Sequence, residues 1–329
     1  MASIKDVAKL AGVSVAAVSK YLKMPQNMRE ETRTKIAEAI ETLNYRPNPL
    51  AQSLRTGRTN LIAIAIPEVE NPYFSNMFKL LQAFCEERGF LAVLLKNANT
   101  EQAKNAAGIL KSGLVDGVIC YDEGQADAFI REVEVSVPVV KMGPVSDSTY
   151  PATVVIDLRT GINKLCTHLE QTGVRRLGYI GPDKDFSSMQ KIGAIRDYCD
   201  GSGLYLDPKI YMTNCSSYSS GYECARNLVS SGIELPDAII VESDMIALGV
   251  LKGLYDGGLR IPRDIRISGY DNTDISQMSN PSLTSVQIPM EEICTCAINM
   301  LCQLMDGKTV TPMLFQTDLQ IRTSTLPPE

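Results

Sequence analysis

The stretch SIKDVAKLAGVSVAAVSKYLK, Ser3 to Lys23, constrains the chain more than any other. Ser3 followed by Asp6 is a capping-box-like start, and Val7, Ala8, Leu10 and Ala11 then fall on one side of a short helix. Gly12 ends that helix and Ser14 starts another, in which Val15, Val18 and Leu22 repeat at helical spacing. Two short helices joined by a tight turn containing glycine fit a DNA-binding helix-turn-helix or, on spacing alone, an ordinary helical hairpin.

Charge separates the two. Residues 1 to 58 carry ten Lys and Arg against five acids, net +5, whereas the whole chain is −6. The remainder therefore holds 22 basic and 33 acidic residues, net −11. A basic head on an acidic body is the footprint of a module that meets phosphate while the rest stays in solution. Glu30 to Leu43 reads as an amphipathic third helix with Ile36, Ala39, Ile40 and Leu43 as its apolar stripe, enough to close a three-helix core. In the following NYRPNPLAQSLRTGRTN, Asn48 can cap a helix and Pro49 takes its first position. The helix so started, Pro49 to Arg55, is too short to be stable alone and needs something docked against it.

This order of helix-turn-helix, third helix, YRPN, short hinge helix and TNLIAIAIPEVENPYF resembles the lactose/galactose repressor (LacI/GalR) family of bacterial transcription regulators along the entire chain. The resemblance implies a DNA-binding head over 1–46, a hinge helix and linker over 47–59, and an effector-binding and dimerisation core over 60–329. It places the second helix in the major groove, with Ser3, Ser14, Val15, Ala16, Ser19, Lys20 and Asn27 as the head's DNA-binding residues. Asn48, Leu54 and Arg55 would act at the hinge. Leu54 from paired hinge helices would wedge into the minor groove, and a leucine beside Arg55 and Arg58 does combine an apolar wedge with phosphate partners. The alternative is a linker residue packed on its own core. Val15 and Ala16 offer apolar contact to thymine methyls, and Lys20 can reach guanine O6 and N7. The alternative makes Val15 core and Lys20 a phosphate contact; Val18 is read as core outright. Two positions depart from the family pattern: Arg29, where Ser usually caps the third helix, leaving Asn27 or Glu30 and Glu31 to stabilise that end, and Lys23, where Asn is common.

From Thr59 the pattern changes to short apolar runs alternating with helical ones. LIAIAI, FLAVLLK, GVIC and VPVVKM form one series, with helices near 73–88 and 100–111 between them. A second series begins after Val154 to Ile156 and runs through RLGYIG, IYM, DAIIVE, IRISGYD and LTSVQI, with helices near 159–171, 188–200, 219–230 and 244–256. The fold class is α/β: two doubly wound parallel sheets with helices on both faces. Ligands bind such sheets outside the carboxyl ends of the strands, so two facing sheets offer a cleft. The resemblance makes these subdomains of periplasmic-binding-protein type, an N-subdomain of about 60–158 and 289–320 and a C-subdomain of about 159–288 and 321–329. The chain would cross near 158, 289 and 320, with a helix from Pro289 to Met305 returning to the first.

Carried over position by position, the effector-binding residues are Tyr73, Phe74, Phe186, Gln190, Ser216, Ser243 and Asp271. Family members that bind sugars or purines generally have Arg at the position of Gln190 and often an aromatic at that of Ser216. Gln190 and Ser216 supply neither the donor fork nor the stacking face, whereas Asp271 can accept from hydroxyls or an amine, or else cap a loop. A sugar or sugar derivative is the effector the resemblance implies; a different ligand, a protein coregulator, or no ligand at all stays open.

No run of eighteen apolar residues is present, and Met1 leads at once into a foldable helix, so neither a membrane span nor a secretory signal is expected and the chain is placed in the cytoplasm. Nine scattered cysteines fit a reducing compartment. Helical periodicity puts Cys294 and Cys296 on different faces, which argues against a thiolate metal site with Cys302, and no cofactor or metal is expected. There is no GxGxxG, no GxxxxGK[ST], and no base to pair with a nucleophile, since the only histidine, His168, falls in a helix. The chain is therefore not expected to be an enzyme. A bare periplasmic sugar-binding protein would need an export signal and would leave the basic head without purpose. What is expected is a transcriptional regulator with repression as its output: a homodimer on a near-palindromic operator, its affinity set by an effector in the cleft. No heptad tail follows Met313, which argues against a C-terminal tetramerising coil.

Overall fold

The computed structural model describes residues 2–46, 53, 57–96, 107–108, 110–122, 127–144, 150–182 and 186–327, which form two compact units, Met1–Thr59 and Asn60–Glu329.

In the first unit α1 (Ile4–Ala11) starts on a full capping box: the Ser3 amide donates to Asp6 Oδ2 at 2.8 Å and the Asp6 amide to Ser3 Oγ at 3.4 Å. Gly12, at φ 65°, ends it in the left-handed conformation that favours glycine. Ser14 caps α2 (Val15–Lys23), and α3 (Glu30–Thr42) closes the bundle. Val7, Ala8, Ala11, Val18, Ile36 and Ala39 are its buried core, with Ile40 and Leu43 half-buried. Leu10 departs from the expected stripe: it is 53% exposed, because Val7, Ala8 and Ala11 already fill the face toward α3 and Leu10 is rotated off it. Arg29 provides no side-chain cap for α3, and Asn27 bonds back to Met24; Glu30 and Glu31 in the first turn are left to offset the exposed amides.

In the second unit β1 (Leu61–Ile66), α4 (Pro72–Glu87), β2 (Leu91–Lys96), β3 (Gly117–Tyr121), α5 (Asp127–Val133), β4 (Val139–Gly143) and β5 (Thr153–Asp157) build the first lobe. The second holds α6 (Leu158–Gln171), β6 (Arg176–Ile180), α7 (Phe186–Asp200), β7 (Tyr205–Met212), α8 (Tyr218–Ser230), β8 (Ala238–Val241), α9 (Asp244–Asp256), β9 (Arg266–Asp271), α10 (Asp274–Met278) and β10 (Thr284–Gln287). The chain then returns as α11 (Met290–Met305) and β11 (Met313–Gln316) and ends in β12 (Asp318–Gln320). The sheet orders are β11-β5-β4-β3-β1-β2 and β12-β10-β9-β8-β6-β7, parallel throughout except that β12 runs antiparallel to β10. The expected helix from 100 to 111 lies mostly outside the described residues; its described end, Leu110–Leu114, is a widened turn with Gly113 at φ 77°.

The chain crosses between lobes after β5, before α11, and at Thr317. The last crossing precedes the expected position near 320, because Asp318 to Gln320 already pair with β10 of the second sheet. Thr317 is buried and braces the crossings: its hydroxyl donates to the Asp157 carbonyl at 2.7 Å and accepts from the Gly161 amide at 2.8 Å. Cys215 and Cys224 are joined by a disulfide, and the other seven cysteines are in none. The scattered cysteines, read from the sequence as fitting a reducing compartment, thus include one bonded pair, which the first turns of α8 fold back onto the loop after β7.

Helices α8 and α9 pack backbone to backbone. A Cβ at Gly249 would run into the Tyr218 carbonyl, and one at Gly253 would lie 2.6 Å from the Tyr222 carbonyl. Gly249→Ala should therefore destabilise the core by about 1–3 kcal/mol through overpacking, read as a lower denaturation midpoint at unchanged m-value.

Candidate functional site

The parallel strands of both lobes release their carboxyl ends into one cavity of about 320 Å³. The first lobe contributes Pro67, Glu68 and Asn71 from the segment after β1, Tyr73 and Phe74 from the first turn of α4, and Tyr121 from the end of β3. In the second, Pro182, Ser187 and Lys191 follow β6, Ser216 follows β7, Glu242, Ser243 and Ile246 follow β8, and Asp271 ends β9. Each position is the one a parallel strand offers to a ligand, just past its carboxyl end.

Three rings make the apolar wall. Tyr73, Phe74 and Tyr121 meet edge to face with centroids 5.0, 5.1 and 5.9 Å apart. The opposite wall is built on a buried ion pair. Lys191 Nζ donates to Glu242 Oε1 at 2.7 Å and to the Glu242 carbonyl at 3.1 Å, and lies 3.7 Å from the Tyr270 ring centroid. The Tyr179 hydroxyl donates to Glu242 Oε2 and the Ser187 hydroxyl to Oε1. The ammonium thus has a partner for each of its three hydrogens, two oxygens and a ring face.

Next to this wall Asp244 is fully buried, accepting from the Thr273 amide and hydroxyl at 2.7 and 3.0 Å and from Ser285 Oγ at 2.6 Å. Burial pushes its carboxyl up to about 6, against these bonds and the pull of Arg322. At the mouth Glu68 is raised above the ordinary carboxylate value by partial burial and by Glu70, with Lys96 pulling the other way. Asp271 is held at φ 100°, a left-handed backbone that side chains other than glycine, asparagine and aspartate rarely adopt.

Of the expected effector-binding residues, Tyr73, Phe74, Ser216, Ser243 and Asp271 line the cavity. Phe186 and Gln190 do not; the residues one place further on, Ser187 and Lys191, do. Helix α7 begins at Phe186, and each residue turns about 100° around the helix axis, so a slip of one residue exchanges a flanking side chain for a facing one. Lys191 and Glu242 were missed. The available signal was a carboxylate directly after the four buried apolar residues of β8, a place that requires a cation.

In the head, Val15, Ala16 and Lys20 are exposed, Ser19 is half-buried, and Ser3 and Ser14 are exposed caps. Asn27 is exposed in the turn before α3. Asn48, Leu54 and Arg55 lie outside the described residues. Among the described residues no helix is long and apolar enough to cross a membrane.

A capped helix-turn-helix unit in one chain with a two-lobed, cleft-bearing parallel-sheet core defines a DNA-binding regulator with a periplasmic-binding-protein-like body. Residues 3–48 match the model of bacterial regulatory proteins of the lacI family, and residues 166–325 that of the periplasmic binding protein-like domain. Catabolite control protein A of Staphylococcus epidermidis is 30% identical over 312 residues, 94% of each chain. The protein of that name from Priestia megaterium is 30% identical over 320 residues, 95% of this chain and 96% of its own. Among solved structures, the Lac repressor dimer bound to operator and the anti-inducer ONPF superposes with a TM-score of 0.86 at 26% identity over 99% of both chains. The regulator CelR in complex with cellobiose gives 0.72 at 25% identity, covering 98% of this chain and 100% of that one. The chain belongs to the LacI/GalR family of bacterial transcription regulators. It is a DNA-binding regulator, and its relatives are regulators rather than enzymes.

The Lys191–Glu242 pair should behave as a unit. Lys191→Met leaves a buried carboxylate without its cation and should cost about 3–5 kcal/mol of unfolding free energy. Adding Glu242→Gln, which keeps an acceptor for Tyr179, should recover most of that loss; equal losses in chemical denaturation would show that the pair is not coupled.

Proposed function

We propose that this regulator acts in the cytoplasm as a homodimeric repressor on a near-palindromic operator, and that a small polyhydroxylated effector in the inter-lobe cavity sets its affinity. The observation that carries the effector reading is the cavity itself. Its lining comes from the strand ends of both lobes and combines a three-ring wall with hydroxyls and carboxylates, the mixture that recognises a hydroxylated ring. Two relatives with known ligands support it, CelR with cellobiose and the Lac repressor with ONPF on its operator.

On the DNA side, the head of residues 1–46 reads bases through Val15, Ala16 and Lys20, which stand exposed together on α2. Ser3, Ser14, Ser19 and Asn27 position the head on the backbone. Residues 47–59 form the hinge, where Asn48, Leu54 and Arg55 act once two copies pair. Pairing has a candidate surface in the core: β2 is the edge strand of its sheet, and Leu91, Val93 and Leu94 are exposed along it. An exposed apolar edge strand is a liability unless a second copy covers it. The lobes of the core meet at residues 157–158, 288–290 and 317, and a change in their angle would alter the spacing of the two hinges.

Two outcomes are expected. Removing residues 1–58 should leave a folded dimer, seen by sedimentation, that no longer binds operator; retained specific binding would refute the assignment of the head. Leu54→Ala should weaken operator binding by several kcal/mol while changing non-specific affinity little, since the wedge acts only where the duplex is kinked. Equal losses on both DNAs in a salt-controlled titration would rule the wedge out.

A further inference from the structure

A second cavity, of about 420 Å³, lies on the second lobe between the last turns of α7 and the edge strand β7. It shares no lining residue with the inter-lobe cavity. Leu204 and Leu206 give it an apolar lining, and Tyr205, 57% exposed, adds a ring that meets no other ring among the described residues. Tyr211 is fixed before any ligand arrives: its ring stacks on Tyr179 with centroids 5.7 Å apart, and the Tyr179 hydroxyl donates to Glu242. The stack ties this cavity to the wall of the inter-lobe one, which Glu242 lines. Its size and its preformed, largely apolar wall are those of a small-molecule site.

Two side chains of opposite charge, Arg196 and Asp200, line this cavity one turn apart on α7. Residues at i and i+4 are neighbours, about 5–6 Å apart at Cβ, and opposite charges there attract, though less well with the cation on the amino-terminal side. Arg196 and Asp200 do not pair. Among the described residues neither takes part in an ion pair or a side-chain hydrogen bond, and Arg196 lies instead over the Tyr211 ring, 5.5 Å from its centroid. The neighbouring Asp197 is paired, with Arg159 at 2.7 Å. A fork of N–H donors and an accepting carboxylate thus stand uncommitted side by side at the rim of an apolar cavity.

We propose that this cavity is a second ligand site, for a free α-amino acid with a large apolar side chain, aromatic ones above all. Such a ligand carries a carboxylate and an ammonium on one carbon, so it would meet Arg196 and Asp200 together, each through a charge-assisted hydrogen bond. Its side chain would lie against Leu204 and Leu206, with an aromatic ring facing that of Tyr205. A polyol offers nothing to the apolar lining, and a neutral apolar molecule leaves both charges without a partner. The proposal is independent of the effector reading of the inter-lobe cavity.

The test is calorimetric titration of the full-length protein with phenylalanine and with analogues that each lack one of its features: phenylpropionate without the ammonium, phenethylamine without the carboxylate, and glycine without the side chain. Phenylalanine should bind saturably, and each analogue about fivefold or more weakly, the size of a partly solvated charge contact or a lost apolar one. Arg196→Gln should bring phenylalanine down to the affinity of phenethylamine and leave phenethylamine unchanged. Asp200→Asn should do the same with respect to phenylpropionate. Both residues are exposed, so the two variants should fold and keep the melting temperature of the parent. Absence of saturable binding at millimolar phenylalanine, analogues bound as tightly as phenylalanine, or a uniform weakening of all ligands in the variants would each overturn the proposal. So would phenylalanine binding that survives both substitutions, which would put the amino acid elsewhere on the chain.

Discussion

The hydroxyl of Thr317 sits where the two lobes of the core meet, and the geometry of everything between them depends on it. One side-chain oxygen donates to the end of β5 and accepts from the first turn of α6, so the first and third crossings are held to each other. A Cβ at Gly161 would run into both Thr317 and Val286, so β10, the strand that leads into the second crossing, packs directly against α6, the helix that leaves the first. Gln320 Nε2 donates to Gln287 Oε1 at 2.5 Å and Lys164 pairs with Asp318 at 2.8 Å, extending the brace outward. Three crossings tied this closely leave opening and closing of the lobes as the soft motion and resist sliding.

Once the lobes can move only in that way, the walls of the cavity have to be stiff for a ligand to be felt. The second lobe achieves this with polar groups that would be costly if half-satisfied. Glu242 and Lys191 are both buried, and desolvating an ion pair offsets much of its attraction, so its contribution to stability is small beside its effect on shape. Tyr179 and Ser187 fix the carboxylate, and Tyr270 fixes the ammonium. Asp244 does the same one layer deeper, tying α9 to the loop after β9 and to β10 through Thr273 and Ser285. The first lobe uses rings instead, packed edge to face on the amino end of α4.

How far the sequence could be read follows from the range of each interaction. The head was legible because its signals are local: Ser3 with Asp6, Gly12 and Ser14 are caps and stops that act within four residues. The strands were legible because a parallel sheet buried on both faces writes itself as an unbroken apolar run, as in LIAIAI. The cavity was legible to within one residue of helix phase. Tyr73, Ser216, Ser243 and Asp271 sit directly at strand ends or helix caps, where phase cannot slip. Phe186 and Gln190 sit inside a helix whose start the apolar pattern does not mark, so their neighbours Ser187 and Lys191 took the facing positions. The partners of Lys191 and Cys224 were not legible because what decides them, 51 residues of separation in one case and a folded-back turn in the other, is tertiary.

The division of the lining between lobes decides which contacts can regulate. A ligand shifts an equilibrium only by the difference in its affinity for the two states, and a group that moves with the ligand contributes equally to both. Ser216, Glu242 and Ser243 all ride on the second lobe, so bonds to them raise affinity without changing the angle. Coupling must come from contacts that span the gap, between Glu68 or the rings of α4 and Asp271 or Ser243. A coupling energy of about 1–3 kcal/mol, enough for a five- to hundredfold change in DNA affinity, needs no more than one or two such bridging bonds. Asp271, held at φ 100° at the end of β9, is a fixed point of the second lobe, so its distance from Glu68 and the rings of α4 is set by the lobe angle and not by a loop.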